Sequence, residues 1–454
     1  MHRAAGVGPV AQFGMRLLIT NARCSQAYFI LRALRPFADW VTVTMSGPPA
    51  MGFWPTCHAA YSRLVDRRCR VPHPEADWQA GRIQPTNTAR EQAFVDEMLR
   101  ICERDRIDTI FPSNDPWVYV LAKNKPLFAS HGVLIPVPDY DAVIKPLDKY
   151  DTVRCAREVG FPVPASCLYE NAESLEAFLV ETTSPWMIRP RFTNGSRGMR
   201  IETSATKLAA AAEAVAQRYG APMIQEYVPG NRIQNFYIVL DKAGRPVSVF
   251  TPKVLRTYGR IVRNTAGSAV SQAHAPYSAE AVRLLAHLGW WGGATVQTKT
   301  DARDGQPKLM EVNPRLGQYL WTRTELGINE PLLCLRIARG ESPEPIVPGE
   351  DYPLDSLLLE PIADVTNFLA GLVEGAVFGY RRHVLRKASL DPDSAPPGIG
   401  ARLRAYRREY FGARRRVFHP SFRYLLEDPR PCLLWASKKI ESATRMLVKG
   451  LARH

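Results

Sequence analysis

Gln297 is followed fourteen residues later by Glu311-Val312-Asn313-Pro314-Arg315, and this spacing allows little besides a hairpin. Residues 292–299 read as a buried strand, 301–307 as a polar turn, and 309–313 as the antiparallel return strand. Side chains alternate faces along a strand, so Glu311 and Asn313 share one face and the hairpin brings Gln297 alongside them. One carboxylate and two amide oxygens make a hard, oxygen-only ligand set. Such a set suits Mg²⁺, with Mn²⁺ as the alternative, and leaves room for substrate phosphates on the ion. Arg315 would face those phosphates as a planar two-pronged donor. An isolated Glu-x-Asn is more often a polar hairpin tip, so the reading depends on what lies upstream.

The chain has 454 residues, enough for two or three domains that each bury a core. Its 46% hydrophobic and 23% charged residues are those of a globular protein. The longest apolar stretch, 353–380, is interrupted by Asp355, Glu360, Asp364 and Glu374, so no membrane-spanning helix is expected. No signal-peptide core stands at the N-terminus, and a cytoplasmic location is expected. Residues 1–14 read as a loose tail or an upstream start, with Met15 as the natural beginning. Eight cysteines (24, 57, 69, 102, 155, 167, 334 and 432) form no C-x-x-C pair, which argues against a disulfide framework or a zinc motif. The net charge of +15 is uneven: the last 74 residues hold 18 Lys/Arg against 6 Asp/Glu.

Residues 15–148 alternate strand and helix. Strands are expected at 16–20, 40–46, 108–114 and 133–136. Helices are expected at 25–34 and 91–104, the latter with Phe94, Met98 and Ile101 on one face. This rhythm implies a doubly wound parallel sheet whose ligands lie beyond the strands' carboxyl ends, where Asn21 and Asn114-Asp115 stand. A second, α+β unit begins near Asp148-Lys149 and runs to about 345. Pro-rich linkers follow at 343–353 and 391–397, and 354–454 reads as basic and mainly helical.

Within the second unit, 190–198 (Pro-Arg-Phe-Thr-Asn-Gly-Ser-Arg-Gly) is a glycine- and hydroxyl-bearing loop between two strands. Its backbone N–H groups can cradle phosphate oxygens. Arg189 just before it and Lys149 upstream can converge on the same anion. Farther on, Ile224-Gln225-Glu226-Tyr227-Val228-Pro229-Gly230 is an apolar strand breaking into a turn, where Glu226 and the Val228 backbone can meet an adenine edge.

These motifs, in this order, resemble the ATP-grasp superfamily over about residues 15–345, and most of all one half of a carbamoyl-phosphate synthase large subunit. The resemblance implies a Rossmann-like pre-ATP-grasp domain (15–148) and an ATP-grasp domain (149–345) that holds MgATP between two subdomains. It implies an acyl phosphate, made from a carboxylate and attacked by an amine or thiol, with release of ADP and phosphate. Carried over by position, Lys149 and Arg189 contact the ATP phosphates, which the loop with Asn194, Gly195, Ser196 and Gly198 covers. Glu226, Tyr227 and Val228 hold adenine, and Gln297, Glu311 and Asn313 hold Mg²⁺. Arg315 steadies the transferring phosphoryl group. An acidic ribose ligand after the hinge is missing, leaving Gln234 for that role. Lys253, Arg256 and Arg263, with the turn 264–268, stand where relatives bind the acceptor carboxylate. Small-acid kinase or carbamoyl-phosphate chemistry is the alternative, and a non-catalytic ATP-binding scaffold is a third class. His274 and His287 read as core or surface residues.

The C-terminal arginines (Arg402, Arg404, Arg407, Arg408, Arg414, Arg415 and Arg416) interleave with Tyr406, Tyr410 and Phe411, and a basic helix is expected at 433–451. Basic charge with aromatics suits an anionic membrane surface, here the inner one, or an acidic polymer. No nucleic-acid recognition module is present. The resemblance implies a small carboxylate and an amine as partners, and a homo-oligomer is within expectation.

Overall fold

Leu17, Leu18 and Ile19 follow one another without polar interruption, the pattern of a strand covered on both faces. All three are fully buried in β1 (Met15–Ile19). The computed structural model describes residues 14–46, 50–51, 54–55, 58–74, 78, 81, 83–230, 232–258, 265–317, 319–361, 399–431 and 433–434. β1 lies inside a parallel sheet of order β3 (Arg67–Arg70), β2 (Ala38–Met45), β1, β4 (Thr109–Phe111). α1 (Ser25–Leu34) and α2 (Ala89–Asp105) cover it. A capping box of Thr88 and Glu91 starts α2, and Phe94, Met98 and Ile101 are fully buried. Chain order reverses between β1 and β4, which puts a ligand crevice at their carboxyl ends. The stretch 133–136 contributes a single parallel bridge, Leu134 to Thr109.

After α3 (Asp115–Lys123) and α4 (Tyr140–Leu147), Asp148 caps α5 (Lys149–Glu158) by accepting from the Tyr150 and Asp151 N–H groups at 3.0 and 3.4 Å. A small antiparallel sheet follows, of order β5 (Ser166–Leu168), β8 (Met223–Glu226), β6 (Trp186–Arg189), β7 (Arg200–Glu202). With α6 (Ala172–Glu181) and α7 (Ala205–Tyr219) it has its own core around Phe178, Trp186, Ile188, Leu208 and Ile224.

The larger antiparallel sheet has order β10 (Pro246–Phe250), β9 (Ile233–Leu240), β13 (Gly292–Thr300), β14 (Pro307–Asn313). β11 (Lys253–Tyr258) and β12 (Thr265–Val270) start a fourth sheet, and α8 (Ser278–His287) precedes β13. Beyond the hairpin lie α9 (Leu320–Glu325), absent from the sequence reading, and α10 (Glu330–Ala338). Two apolar clusters span the first sheet and the larger antiparallel sheet together. One joins Leu18, Phe94 and Trp117 to Phe236 and Val296; the other joins Ile19 and Leu31 to Tyr237, Leu316 and Leu332. The boundary expected at 148/149 is thus not a break in the core. Arg323 and Glu330 form a wholly buried ion pair at 2.6 Å, with the guanidinium 4.0 Å above the Tyr237 ring centroid.

Among the described residues of 354–454, two short strands stand beside the helices. β15 (Leu357–Leu359) pairs with β12, and β16 (Arg416–Phe418) lies parallel to β15, completing the fourth sheet. Both are three-residue strands whose partners are distant in sequence, so no local period announces them. α11 (Ile399–Phe411) and α12 (Ser421–Glu427) are helical as expected. This region docks on α1: Asp428 accepts from Tyr28 Oη at 3.2 Å and the Arg63 N–H at 3.0 Å, and Arg32 stacks 3.5 Å over the Tyr424 ring. Residues 362–398 and nearly all of the expected helix at 433–451 lie outside the described residues. Among the described residues, no helix is long and apolar enough to cross a membrane.

Candidate functional site

The hairpin is built in the register its side chains require. Gln297 stands opposite Glu311 and Thr295 opposite Asn313, so Gln297, Glu311 and Asn313 share one face. Gln297 Nε2 donates to Asn235 Oδ1 at 2.9 Å, which leaves Gln297 Oε1 as the end available to a cation. Asn313 Nδ2 donates to Glu311 Oε1 at 3.3 Å, and the Glu311 side chain is 34% exposed. A half-exposed carboxylate flanked by two amides is a donor set that fits Mg²⁺.

Cations surround this carboxylate. Arg189, at the end of β6 and 3% exposed, places Nη2 3.7 Å from Glu311 Oε2. Its Nη1 donates to Gln225 Oε1 at 3.0 Å and to the Met310 carbonyl at 2.8 Å, tying the small sheet to the hairpin. Among the described residues its Nε is buried without a hydrogen-bond partner, a donor suited to an anion. Burial pushes the Arg189 pKa down, while Glu311 works against that shift. Lys149, the first residue of α5, donates to the carbonyls of Arg191 (3.2 Å) and Thr193. Burial first, then the neighbouring Arg189 charge, pull the Lys149 pKa down to about 8; Glu311, Asp115 and Asp148 oppose the shift. Two like charges thus stand together beside the Glu311 carboxylate.

The loop 190–198 is pinned at its start. Arg191 forks onto the Asp148 carboxylate, with Nε 3.0 Å from Oδ1 and 2.9 Å from Oδ2. Gly195, Ser196 and Gly198 all adopt positive φ, at 61°, 62° and 70°. A Cβ on Gly198 would lie 2.7 Å from the Tyr219 ring and 2.8 Å from Pro190 Cγ, so the tight turn requires glycine there. Asn194 Oδ1 accepts from Arg197 at 2.8 Å.

Arg315 reaches back to the first sheet. Its Nε donates to Asp115 Oδ1 at 3.0 Å and its Nη2 to Asn313 Oδ1 at 3.2 Å. Burial works against its charge, but Asp115, Cys24 and Glu311 more than offset it, and the pKa is raised. Asp115 opens α3 just beyond β4. Asn114 beside it makes no capping bond and instead accepts from Asn21 Nδ2 at 3.2 Å. The carboxyl ends of β1 and β4 therefore meet the hairpin.

Other expected residues are placed differently. The Glu226 carboxylate is held by Arg303, which also clasps Asp301 at 2.5 and 2.9 Å, so Glu226 faces the β13–β14 turn. The Val228 carbonyl accepts from Lys299 Nζ at 2.7 Å, and that ammonium sits 4.9 Å from the Tyr227 ring centroid. Gln234 lies next to Asn235 on β9 and so on the opposite face from Gln297; its amide donates to the Asn235 and Pro252 carbonyls at 2.8 and 3.0 Å. The structure does not bring it to the Glu311 group. Lys253 is exposed at the start of β11, while Arg263 and the Arg256 side chain lie outside the described residues. His287 Nε2 pairs with Glu158 at 2.7 Å, away from the hairpin. Sequence reasoning missed Asp148, Arg191, Lys299 and Arg303 as organising groups. The Asp-Lys pair at a helix start was the only sign of the first.

Residues 148–342 match the model of the carbamoyl-phosphate synthase L chain, ATP binding domain. This stretch is an ATP-grasp domain. The large chain, N-terminal section, of carbamoyl phosphate synthase from Methanopyrus kandleri is 23% identical over 232 residues, 49% of this chain and 41% of that one. The arginine-specific large chain of Geobacillus stearothermophilus is 25% identical over 196 residues, 41% of this chain and 19% of that one. The matched regions therefore span less than half of these relatives. Among solved structures, biotin carboxylase from Campylobacter jejuni aligns with a TM-score of 0.59 at 16% identity, covering 76% of this chain and 74% of that one. The N5-carboxyaminoimidazole synthetase of Staphylococcus aureus gives 0.52 at 13% identity, covering 74% and 79%. The ATP-grasp fold, with its preceding parallel-sheet domain, accounts for these likenesses.

Proposed function

We propose that the protein is an ATP- and Mg²⁺-dependent ligase that joins a small carboxylate to an amine or thiol. The observation that carries this reading is the convergence of Arg189 and Arg315 on the Glu311–Asn313 pair, with Lys149 in the same field. Phosphoryl transfer needs little covalent help from the protein; it needs positioning and neutralised charge. Lys149, Arg189 and the loop at Asn194–Gly198 hold the triphosphate, and Val228 meets the base at the Glu226–Tyr227 hinge. Glu311, Asn313 and Gln297 hold Mg²⁺, which when bound neutralises phosphate charge. Arg315, set by Asp115, orients the γ-phosphoryl group against the acid.

A carboxylate oxygen attacks the γ-phosphorus, and the bond to ADP breaks with the electron pair leaving on ADP. The nucleophile then attacks the acyl carbon, phosphate departs with the C–O bond pair, and the nucleophile's proton passes to solvent. The test is ADP release across a panel of carboxylates with and without amines, followed by ¹⁸O transfer from the active acid to phosphate. Transfer supports the acyl phosphate; ADP release without transfer removes it. ADP formation with the acid alone and an acyl phosphate as final product would mark a kinase.

The C-terminal surface supports an additional reading as a peripheral contact with anionic lipid. Phe411 (82%) and Leu426 (86%) are exposed beside exposed Arg404, Arg407, Arg408, Arg414 and Arg415, while Glu409 and Asp428 are buried. Outward charge there is mainly basic, with Asp355 paired to Arg414 at 3.1 Å. Because Tyr424 and Asp428 seal α1, the test is charge reversal of Arg414 and Arg415 in the full chain. Retained binding to anionic liposomes would remove the idea.

A further inference from the structure

One titratable cluster lies apart from the nucleotide machinery. Cys155 and Glu158 are three positions apart on α5 and so share a face. His287 is the last residue of α8, which packs against α5. One ligand atom from each of these three side chains lies within 4.8 Å of the others, Cys155 being buried and the other two exposed. His287 Nε2 already sits 2.7 Å from Glu158 Oε2, while Glu158 Oε1 pairs with Arg154 at 2.8 Å. We propose that Cys155, Glu158 and His287 bind a divalent cation of the Zn²⁺ class.

The donor set decides the metal. A thiolate selects borderline-soft ions over Mg²⁺ and Ca²⁺, and imidazole with carboxylate completes a three-residue set with a fourth position open to water. Tetrahedral zinc with bonds of about 2.0–2.3 Å sets its ligands roughly 3.5 Å apart. Exposed Glu158 and His287 can rotate to close the remaining gap. Binding displaces the thiol proton, and burial holds the Cys155 pKa above its usual value, so affinity rises with pH. The three ligands come from two helices about 130 residues apart, which is why no zinc motif stands in the sequence. α5 carries Lys149 at its start and Glu158 at its end, so the ion would clamp to α8 the helix that positions the phosphate-binding lysine.

The test is Co²⁺ titration of the full-length protein, read by thiolate-to-cobalt charge-transfer absorption, with Zn²⁺ as competitor. Wild type should show one saturable, Zn²⁺-displaced band that is lost in Cys155→Ser. His287→Ala, on the surface and safe for folding, should weaken binding by at least about tenfold. No band in wild type, an unchanged band in Cys155→Ser, or equal affinity in His287→Ala would each overturn the site. The hairpin contains no sulfur ligand, so cobalt there gives no such band and the two sites stay distinguishable.

Discussion

ATP affinity should fall as pH rises through about 8, and the cause lies in one ammonium. Lys149 has a pKa of about 8 in the nucleotide-free protein because burial and Arg189 disfavour its charge. A triphosphate beside it favours the protonated form and raises that pKa again, so only the protonated protein binds at full strength. The protonated fraction falls from roughly 0.9 at about pH 7 to roughly 0.1 at about pH 9. Apparent affinity scales with the competent fraction, so Kd should weaken about tenfold across that window, about 1.4 kcal/mol. The assay is calorimetric titration of MgATP at constant ionic strength over that range. Lys149→Arg supplies the control, because a guanidinium does not titrate there and its profile should be flat. A flat wild-type profile, or an equal fall in Lys149→Arg, would refute the reasoning.

Three further outcomes follow from particular contacts. Asp115→Ala should release Arg315 and cut turnover more than it cuts ATP affinity, with a stability loss of about 2 kcal/mol by urea unfolding, because the pair is only partly buried. Glu330→Ala strands Arg323 without a counter-charge in the core and should cost about 3–5 kcal/mol, whereas Arg323→Met with Glu330→Leu should recover most of it. Gly198→Ala combines a 2.7 Å clash with a φ of +70° and should raise the KM for ATP while moving Tm little, since the strain is confined to the loop.

The hairpin was the most legible part of the chain. Period-two alternation and a polar turn place Gln297 alongside Glu311 and Asn313, because an antiparallel hairpin is decided locally, and the register sets Gln297 opposite Glu311. The doubly wound first sheet followed from strand–helix rhythm for the same reason. What could not be read were contacts between distant segments: Asp115 with Arg315, Arg191 with Asp148, and β15 with β16 across the stretch from 359 to 416. At the hinge, an apolar strand breaking into a turn suggested a base contact for Glu226, and Arg303, on the β13–β14 turn, holds its carboxylate. Gln234 stands one residue from Asn235 on β9, and that single step turns its side chain to the face opposite Gln297.

The decisive comparison is MgATP turnover by wild type and Glu311→Ala on the carboxylate and amine panel, with ATP binding measured in parallel. Turnover that requires both partners in wild type and vanishes in Glu311→Ala, while the variant stays folded, is the expected result. Full turnover in Glu311→Ala would contradict the assignment of the hairpin as the phosphoryl-transfer site.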